Sequence, residues 1–193
     1  MFCVVGLGNP GREYERSWHN VGFRVVDELA ARCGVSIRRR CYRALTAETL
    51  IDRAEVLLLK PQDYMNRSGE SVAAACLELS IPMDKVVVAF DDADLPLGRL
   101  RIRKGGGSAG HRGIASIIEQ TGSADFTRVR LGIGRPPDGD ADLATYVLSP
   151  IPAAAEQAAS SLFTRAAQAI ERVVTDGVDA AMREFNGAME QQP

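Results

Sequence analysis

The sequence has few cysteines and histidines, the residues that bind zinc in zinc knuckles. Only four cysteines and two histidines occur in 193 residues, and no two cysteines form a C-x-x-C pair. Scattered cysteines of this kind are typical of buried free thiols in a reducing compartment. A zinc knuckle is therefore not expected, and the chain is predicted to reside in the cytoplasm.

Long apolar runs and a strong net charge are also lacking. No run reaches the roughly 18 apolar residues of a membrane-spanning helix, and no basic segment leads into an apolar stretch at the N-terminus. The formal net charge of -2 argues against a coat of basic residues but leaves room for a local basic face. With 46% hydrophobic and 25% charged residues, the composition is typical of a soluble globular protein, and no membrane partner is expected.

What the sequence does contain is an alternation of strand-like and helix-like segments. The apolar runs 2–7 and 85–90 predict buried strands, and apolar residues at helical spacing predict a helix over 21–34. The other predicted strands are 36–40, 44–50, 55–59, 100–103 and 128–134, and the other predicted helices are 68–79, 113–120, 153–176 and 178–185.

This interleaving predicts the fold class. Strands that alternate with helices, without an internal repeat or a linker, are typical of one three-layer α/β domain. We therefore expect residues 1–193 to form a single domain, with a mixed, largely parallel, twisted sheet flanked by helices and a helical C-terminus. Residues 187–193 are predicted to form a frayed tail.

The stretch GLGNPG after the first strand matches the G-x-G-x-x-G pattern of dinucleotide-binding proteins. In those proteins a helix begins within the glycine turn, because its N-terminus holds the pyrophosphate. Here the charged segment REYERSWH follows the turn, and helical periodicity begins only near Val21. This context argues against a dinucleotide-dependent oxidoreductase. The turn is interpreted instead as one that presents Asn9 beyond the strand, near His19.

Acidic residues follow the strand that ends at Phe90, in the run DDADLPLG. Three close acids could bind a metal ion, but the D-x-D-x-D-G pattern is missing and no metal site is predicted. The acids could also have a structural role only, as caps of a turn. Likewise, Asn9 could be only a turn-capping residue and His19 a solvated side chain. The third interpretation pairs Asp91 with His19, since a carboxylate orients an imidazole that removes a proton from water.

No residue stands out as a nucleophile for covalent catalysis. A G-x-S-x-G elbow is absent, Ser108 lacks the strand-to-helix setting of such an elbow, and Cys3 falls within the first strand. Attack by a water molecule, activated by a general base, is therefore the simplest hydrolytic mechanism that the sequence offers.

A basic, glycine-rich segment follows the acidic run. Five cations and no acid lie between Arg99 and Arg112, around the glycines of GGGSAG. Backbone amides of a glycine-rich turn together with Lys and Arg form phosphate sites. The segment predicts contact with a polyanion, although a solvated basic edge strand is the alternative. Other cations that could extend this surface are Arg12, Arg16, Arg128, Arg130 and Arg135.

Four stretches of the chain form a recognisable series. They are GLGNPGREYERSWHNVGF, KPQDYMNRSG, VVVAFDDADLPLGRLRIRKGGGSAGH and DFTRVRLGIGRP. In this order and spacing they resemble the signature blocks of the bacterial peptidyl-tRNA hydrolase family, over residues 2 to about 136. The resemblance implies a monomeric α/β enzyme that cleaves the ester between a peptide and the 3′ end of tRNA and so recycles the tRNA. It implies no metal and no cofactor.

The resemblance also implies roles for individual residues. His19 is the expected general base for the attacking water, and Asp91 is the carboxylate that orients it. Asn9 and Asn66 are expected to hold the substrate near its ester, with Asn66 also polarising the carbonyl. The residues expected to line the site or to contact tRNA are Tyr14, Met65, Arg103, Lys104, His111 and Arg130.

Two positions depart from the family's pattern. Arg112 stands where the family usually has Asn, and an Arg can donate hydrogen bonds but cannot accept one. Arg112 is therefore expected either to sit in a rearranged site or to bind phosphate. Trp18 stands where the family usually has Arg, and it could stack on a base or pack inside the protein.

The main alternative is a non-catalytic RNA-binding protein on the same fold, similar to relatives in plant chloroplasts that assist intron splicing. Loss of the base or of its carboxylate would favour that alternative. Both His19 and Asp91 are present, so hydrolysis is the preferred function.

Overall fold

The strand-like segments of the sequence come together in a seven-stranded sheet. The computed structural model describes residues 1–136 and 142–187. The strands are β1 Phe2–Gly6, β2 Arg39–Cys41, β3 Ala44–Ile51, β4 Ala54–Pro61, β5 Val86–Asp92, β6 Leu100–Lys104 and β7 Thr127–Gly132. Their order across the sheet is β2-β3-β4-β1-β5-β7-β6.

Four parallel strands form the centre of this sheet. β1 lies between β4 and β5, and β7 continues the parallel arrangement beside β5. Antiparallel pairs complete the sheet, with β3 and β2 next to β4 and with β6 next to β7. The predicted mixed, largely parallel sheet is thus confirmed. In such a sheet the carboxyl ends of the central strands meet at one edge, where ligands bind.

Helices cover both faces of the sheet. They are α1 Val21–Arg32, α2 Ser68–Glu78, α3 Arg112–Thr121, α4 Leu143–Leu148, α5 Glu156–Asp176 and α6 Val178–Phe185. On one face Val4 of β1 packs with α1, α5 and α6, and on the other Cys3 and Val5 pack with α2 and α3. Burial on both faces explains why the central strands are continuous apolar runs. The three-layer α/β fold is confirmed. No helix in the described part of the chain is both long and apolar enough to cross a membrane.

Three details differ from the predicted elements. Ser68 does not cap α2: it is the first residue of that helix, and its hydroxyl donates to the carbonyl of Met65, because a 3₁₀ turn over Met65–Arg67 leads straight into the helix. The strand predicted over 36–40 forms only at Arg39–Cys41. Helix α4 was not predicted. The predicted tail lies outside the described residues beyond Gly187.

A close backbone approach between β1 and α1 sets the position of the segment between them. A Cβ atom on Gly22 would lie 2.3 Å from the carbonyl oxygen of Ala89 and 2.4 Å from the backbone nitrogen of Leu7. A Cβ atom on Gly6 would in turn meet the carbonyl oxygen of Gly22 at 2.2 Å. Only glycine permits such contact, so α1 begins directly against the ends of β1 and β5.

Candidate active site

A cavity of about 850 Å³ opens at the carboxyl ends of the central strands. Its floor holds polar residues that follow β1, β4 and β5, and the N-terminus of α3 closes one side. Its wall also includes residues of α4 and of the glycine-rich loop 105–110. This is the place where an α/β sheet is expected to bind its ligand.

His19 and Asp91 meet at the floor of this cavity. His19 Nδ1 lies 2.8 Å from Asp91 Oδ1, and their side chains are 12% and 4% exposed. His19 belongs to a 3₁₀ turn, Trp18–Asn20, just before α1, and Asp91 lies near the end of β5. The sequence predicted this pair, and the turn holds it in place, since Asn20 exchanges two hydrogen bonds with the backbone of Asn9.

A second imidazole contacts the same carboxylate oxygen. His111 Nε2 lies 3.1 Å from Asp91 Oδ1, and the rings of His19 and His111 have centroids 5.1 Å apart. His111 is the N-cap residue of α3, where its Nδ1 accepts hydrogen bonds from the backbone of Gly113 and Ile114. The sequence predicted His111 as a substrate contact and gave no sign of this approach to Asp91.

The side chains of His19, Asp91 and His111 bring one possible ligand atom each within 4.8 Å of the others. This spacing alone is compatible with a metal ion. The hydrogen bonds to Asp91 account for the same atoms without one. That the site needs no metal stays a prediction, and chelation tests it.

The electrostatics of the site favour an ionised Asp91. Burial by itself would raise the pKa of this carboxyl, but the nearby His111 and His19 outweigh burial and hold the pKa of Asp91 below its usual range. Asp91 is therefore a carboxylate over the whole neutral range and acts as a hydrogen-bond acceptor only.

Two asparagines predicted as substrate contacts also line the cavity. Asn9 is buried, and its Oδ1 accepts a hydrogen bond from the backbone of Met65 at 2.8 Å. Asn66 is exposed on the following turn, where it faces the cavity. Met65 is buried beneath this turn, and Tyr14 stands half-buried at the cavity wall. The structure therefore brings all four of these predicted residues to one cavity.

The predicted tRNA contacts are divided between the cavity and the surface beyond it. Arg103, Arg112 and Arg130 line the cavity, and Arg130 forms an ion pair of 2.5 Å with Asp92. Lys104 is exposed, but it is not among the lining residues and follows Arg103 along β6, so the alternation of a strand places it on the other face.

Arg112 is exposed as the first residue of α3. Its charge is the smallest of the influences that lower the pKa of Asp142, after hydrogen bonds from Thr145 and Ala144. Because Asp142 caps α4, Arg112 lies near the start of that helix.

Arg128 lines the cavity but is buried, so it adds little to the exposed basic surface that the sequence suggested. It is only 4% exposed, and its guanidinium donates hydrogen bonds to the carbonyls of Gly106 and Gly107 while it stacks on Phe126. Burial, followed by the charges of Arg103 and Arg130, lowers the pKa of Arg128. Its structural role is to anchor the glycine-rich loop against β7.

The sequence and the architecture have clear relatives. The family model described as peptidyl-tRNA hydrolase matches residues 3–193. The chain belongs to this family. A protein named peptidyl-tRNA hydrolase from Carboxydothermus hydrogenoformans is 46% identical over 96% of this chain and 98% of its own length. One from Syntrophotalea carbinolica is 43% identical over 96% and 97%.

A solved structure supports the same conclusion. The crystal structure of peptidyl-tRNA hydrolase from Acinetobacter baumannii matches with a TM-score of 0.90 and 31% sequence identity, and it covers 97% of this chain and 95% of that protein. The predicted family and the predicted enzyme class are confirmed, whereas the non-catalytic alternative is not supported.

Other residues of this peptidyl-tRNA hydrolase family member were not foreseen as part of the site. Leu143, Val147 and Leu148 of α4 give the cavity an apolar side. Trp18 is buried beneath that helix, with its ring centroid 6.3 Å from that of Tyr146, so it packs inside the protein and does not offer a surface for a base. The only sequence signal was Asp142 followed by a short apolar run, which is too brief to show helical periodicity.

Proposed function

We propose that this chain hydrolyses the ester bond between a peptide, or an N-blocked amino acid, and the 3′ end of tRNA. The observation that carries the proposal is the 2.8 Å contact between His19 Nδ1 and Asp91 Oδ1 on the cavity floor, in a chain that belongs to the peptidyl-tRNA hydrolase family. The substrate is accordingly peptidyl-tRNA, and the enzyme acts in the cytoplasm as a single-domain monomer.

The chemistry starts with the proton arrangement of this pair. An ionised Asp91 accepts the Nδ1 proton of His19, which leaves the lone pair of Nε2 available as a general base. A water molecule attacks the ester carbonyl while Nε2 takes one of its protons. When the tetrahedral intermediate collapses, the bond to the ribose 3′ oxygen breaks and the imidazolium returns that proton to the leaving oxygen. The products are a tRNA with a free hydroxyl and a peptide carboxylic acid, which releases its remaining proton to solvent and becomes a carboxylate.

The asparagines supply hydrogen bonds to the reacting group in this proposal. Because Oδ1 of Asn9 is occupied by the backbone of Met65, its Nδ2 is the end that can donate to the substrate. Asn66 offers a second amide at the cavity wall and would polarise the ester carbonyl. Donors placed where negative charge develops lower the barrier for acyl transfer.

The same site predicts a preference for a blocked amino terminus. A peptidyl or N-acetyl substrate presents an uncharged amide next to the ester, whereas free aminoacyl-tRNA presents an ammonium group. A site arranged to pair with the amide leaves polar groups poorly matched against the charged amine. We therefore expect strong discrimination against free aminoacyl-tRNA.

Binding of the tRNA body is assigned to basic residues of the cavity together with Lys104 on the surface beyond it. Arg103, Lys104 and Arg130 are proposed to contact phosphate groups, with Arg112 at the edge of the cavity. Contacts of this kind are largely independent of base sequence and weaken as salt is raised.

Release of N-acetylated amino acid from N-acetyl-aminoacyl-tRNA tests the proposal. Free aminoacyl-tRNA and His19→Ala serve as the controls. Cleavage of the acetylated substrate alone, lost in the variant, is the expected result. Tight tRNA binding without cleavage by the unaltered chain would overturn the hydrolase function and favour a purely RNA-binding protein.

A further inference from the structure

The two histidines of the site contact the same oxygen atom of Asp91 through different ring nitrogens. His19 contacts Asp91 Oδ1 through Nδ1, at 2.8 Å, and His111 contacts it through Nε2, at 3.1 Å. An ionised carboxylate can only accept hydrogen bonds. Each contacting nitrogen must therefore carry a proton.

The other ring nitrogen of His111, Nδ1, is hydrogen-bonded to the first turn of the helix that follows it. His111 Nδ1 accepts hydrogen bonds from the backbone N–H groups of Gly113, at 3.2 Å, and Ile114, at 3.3 Å. These groups are among the unsatisfied donors of the first turn of α3, and a protonated Nδ1 could not accept from them. The helix thus requires the neutral ring with its proton on Nε2, and a cation there would also meet the positive end of the helix dipole.

His19 and His111 are then opposite tautomers around one oxygen. His19 carries its proton on Nδ1, and His111 carries its proton on Nε2. The ring of His111 is further confined by Phe90, whose centroid lies 4.9 Å away in an edge-on arrangement. The side chains of His111 and Asp91 are nearly buried, at 9% and 4% exposure.

We propose that His111 is a positioning residue, which the N-terminus of α3 fixes as the Nε2–H tautomer and which uses that proton to orient Asp91 toward His19. This inference rests on the proposed hydrolytic function and assigns His111 a task other than substrate contact. A carboxylate held from two sides keeps the His19 ring in the orientation that its general-base role requires. His111 acts only through Asp91.

Two substitutions separate the two hydrogen-bonding ends of His111. In His111→Asn the amide oxygen takes the place of Nδ1, so the cap of α3 is kept while the donor to Asp91 is lost. In His111→Gln the amide nitrogen takes the place of Nε2, so the donor is kept while the cap is lost. Asn is a preferred N-cap residue, and the Asn variant is therefore expected to fold.

The steady-state experiment compares kcat and KM of these variants on N-acetyl-aminoacyl-tRNA. We expect His111→Asn to lower kcat about 10- to 100-fold with KM unchanged, the effect of one lost hydrogen bond to a charged group. His111→Gln should recover most of that rate while unfolding at a lower urea concentration. An unaltered kcat in the Asn variant would reduce His111 to a helix cap and overturn the proposal. A raised KM with unaltered kcat in both variants would show that His111 contacts the substrate, and this result would also overturn the proposal.

Nuclear magnetic resonance tests the tautomers on the unliganded protein. The chain has only two histidines, so the ¹⁵N-labelled protein gives two imidazole systems, and His111→Asn leaves that of His19 alone. At about pH 8, where an ordinary imidazole is neutral, we expect opposite tautomers for the two rings. A His111 ring protonated on Nδ1 overturns the inference. Because this measurement needs no turnover, failure to cleave the ester would reject the proposed function without deciding the tautomer.

Discussion

The side-chain oxygen of Asn9 accepts a hydrogen bond from the backbone N–H of Met65 at 2.8 Å. This contact joins the loop after β1 to the 3₁₀ turn before α2, across 56 positions of sequence. It also fixes which end of the Asn9 amide is used, since only the oxygen can accept. One residue thereby holds two loops of the cavity together, and its Nδ2 is left as the end that can donate to a ligand there.

Asn9→Asp tests this division of roles. One carboxylate oxygen can still accept from Met65, but the second cannot donate to the ester, and it adds negative charge close to Asp91. We expect kcat/KM on N-acetyl-aminoacyl-tRNA to fall about 100-fold, in the range for loss of one preorganised donor, with the midpoint of thermal unfolding little changed. Asn9→Ala is the comparison: it also loses the tie to Met65 and should cost about 1–3 kcal/mol of stability. An Asp variant with full turnover would contradict the donor role.

The lowered pKa of Asp91 predicts how stability changes with pH. A carboxyl whose pKa is lower in the folded state stabilises the fold above its unfolded pKa of about 3.9, and this contribution is lost as pH falls through the folded value. Asp91→Asn resembles the protonated acid. We therefore expect the variant to be less stable than the unaltered protein at pH 7, by about 1–3 kcal/mol, and the difference to shrink below about pH 4.

Urea unfolding at pH 7 and again at about pH 3 measures this difference. Asp84→Asn, at an exposed position outside the cavity, is the control for a change of charge alone. If the difference in unfolding free energy between Asp91→Asn and the unaltered protein stays constant or grows in acid, the lowered pKa of Asp91 is contradicted.

The elements that could be predicted are those in which the pattern of apolar residues alone shows which positions are buried. The run Val86 to Phe90 is apolar throughout because both of its faces are buried, so its place in the middle of the sheet can be read from the sequence. The 21-residue helix α5 repeats its apolar positions often enough to show a helical period. Helix α4 has six residues, less than two turns, and offers no period to detect.

The features of the site that could not be predicted come from contacts between distant segments. Arg128 and Arg130 alternate along β7 like two exposed cations, but the glycine-rich loop covers Arg128 and takes its hydrogen bonds. His111 follows a run of glycines that is typical of a loop, and nothing local shows that its ring reaches Asp91, 20 residues earlier. His19 and Asp91 could be paired only because both follow strands whose carboxyl ends meet at one edge of the sheet.

Gly22→Ala tests the close approach that positions His19. The added methyl group would meet backbone atoms of Ala89 and Leu7 at 2.3–2.5 Å, and backbone cannot move aside as a flexible side chain can. We expect a loss of about 3 kcal/mol or more in unfolding free energy, at the upper end for overpacking. Gly107→Ala, where nothing lies near the added Cβ atom and the backbone is not in the left-handed region, is the control for an added methyl group alone. Equal stabilities of the two variants would show that α1 can move away from β1.

Removal of metal ions tests the hydrogen-bonded description of the His19–Asp91–His111 cluster. Both ring nitrogens that face Asp91 carry protons in that description, and a protonated nitrogen cannot ligate a metal. Dialysis against a chelator should therefore leave the rate of ester cleavage unchanged. A loss of activity that added zinc restores would show that the cluster holds an ion.

Arg112→Asn tests the position at which this chain departs from its family's usual residue. Arg112 is exposed at the edge of the cavity, and no carboxylate in the described part of the chain forms an ion pair with it. If it binds a phosphate group of tRNA, the variant should raise KM without lowering kcat. The dependence of log KM on log salt concentration should then lose about one unit of slope.

Arg53→Asn is the matched control for Arg112, because this exposed arginine precedes β4 at the amino end of that strand, opposite the cavity. It should leave both KM and the salt slope unchanged. A fall in kcat for Arg112→Asn, with an unaltered salt slope, would instead place Arg112 in the reaction itself. In that case the guanidinium would be a donor to the reacting ester, since it has hydrogen bonds to donate and none to accept.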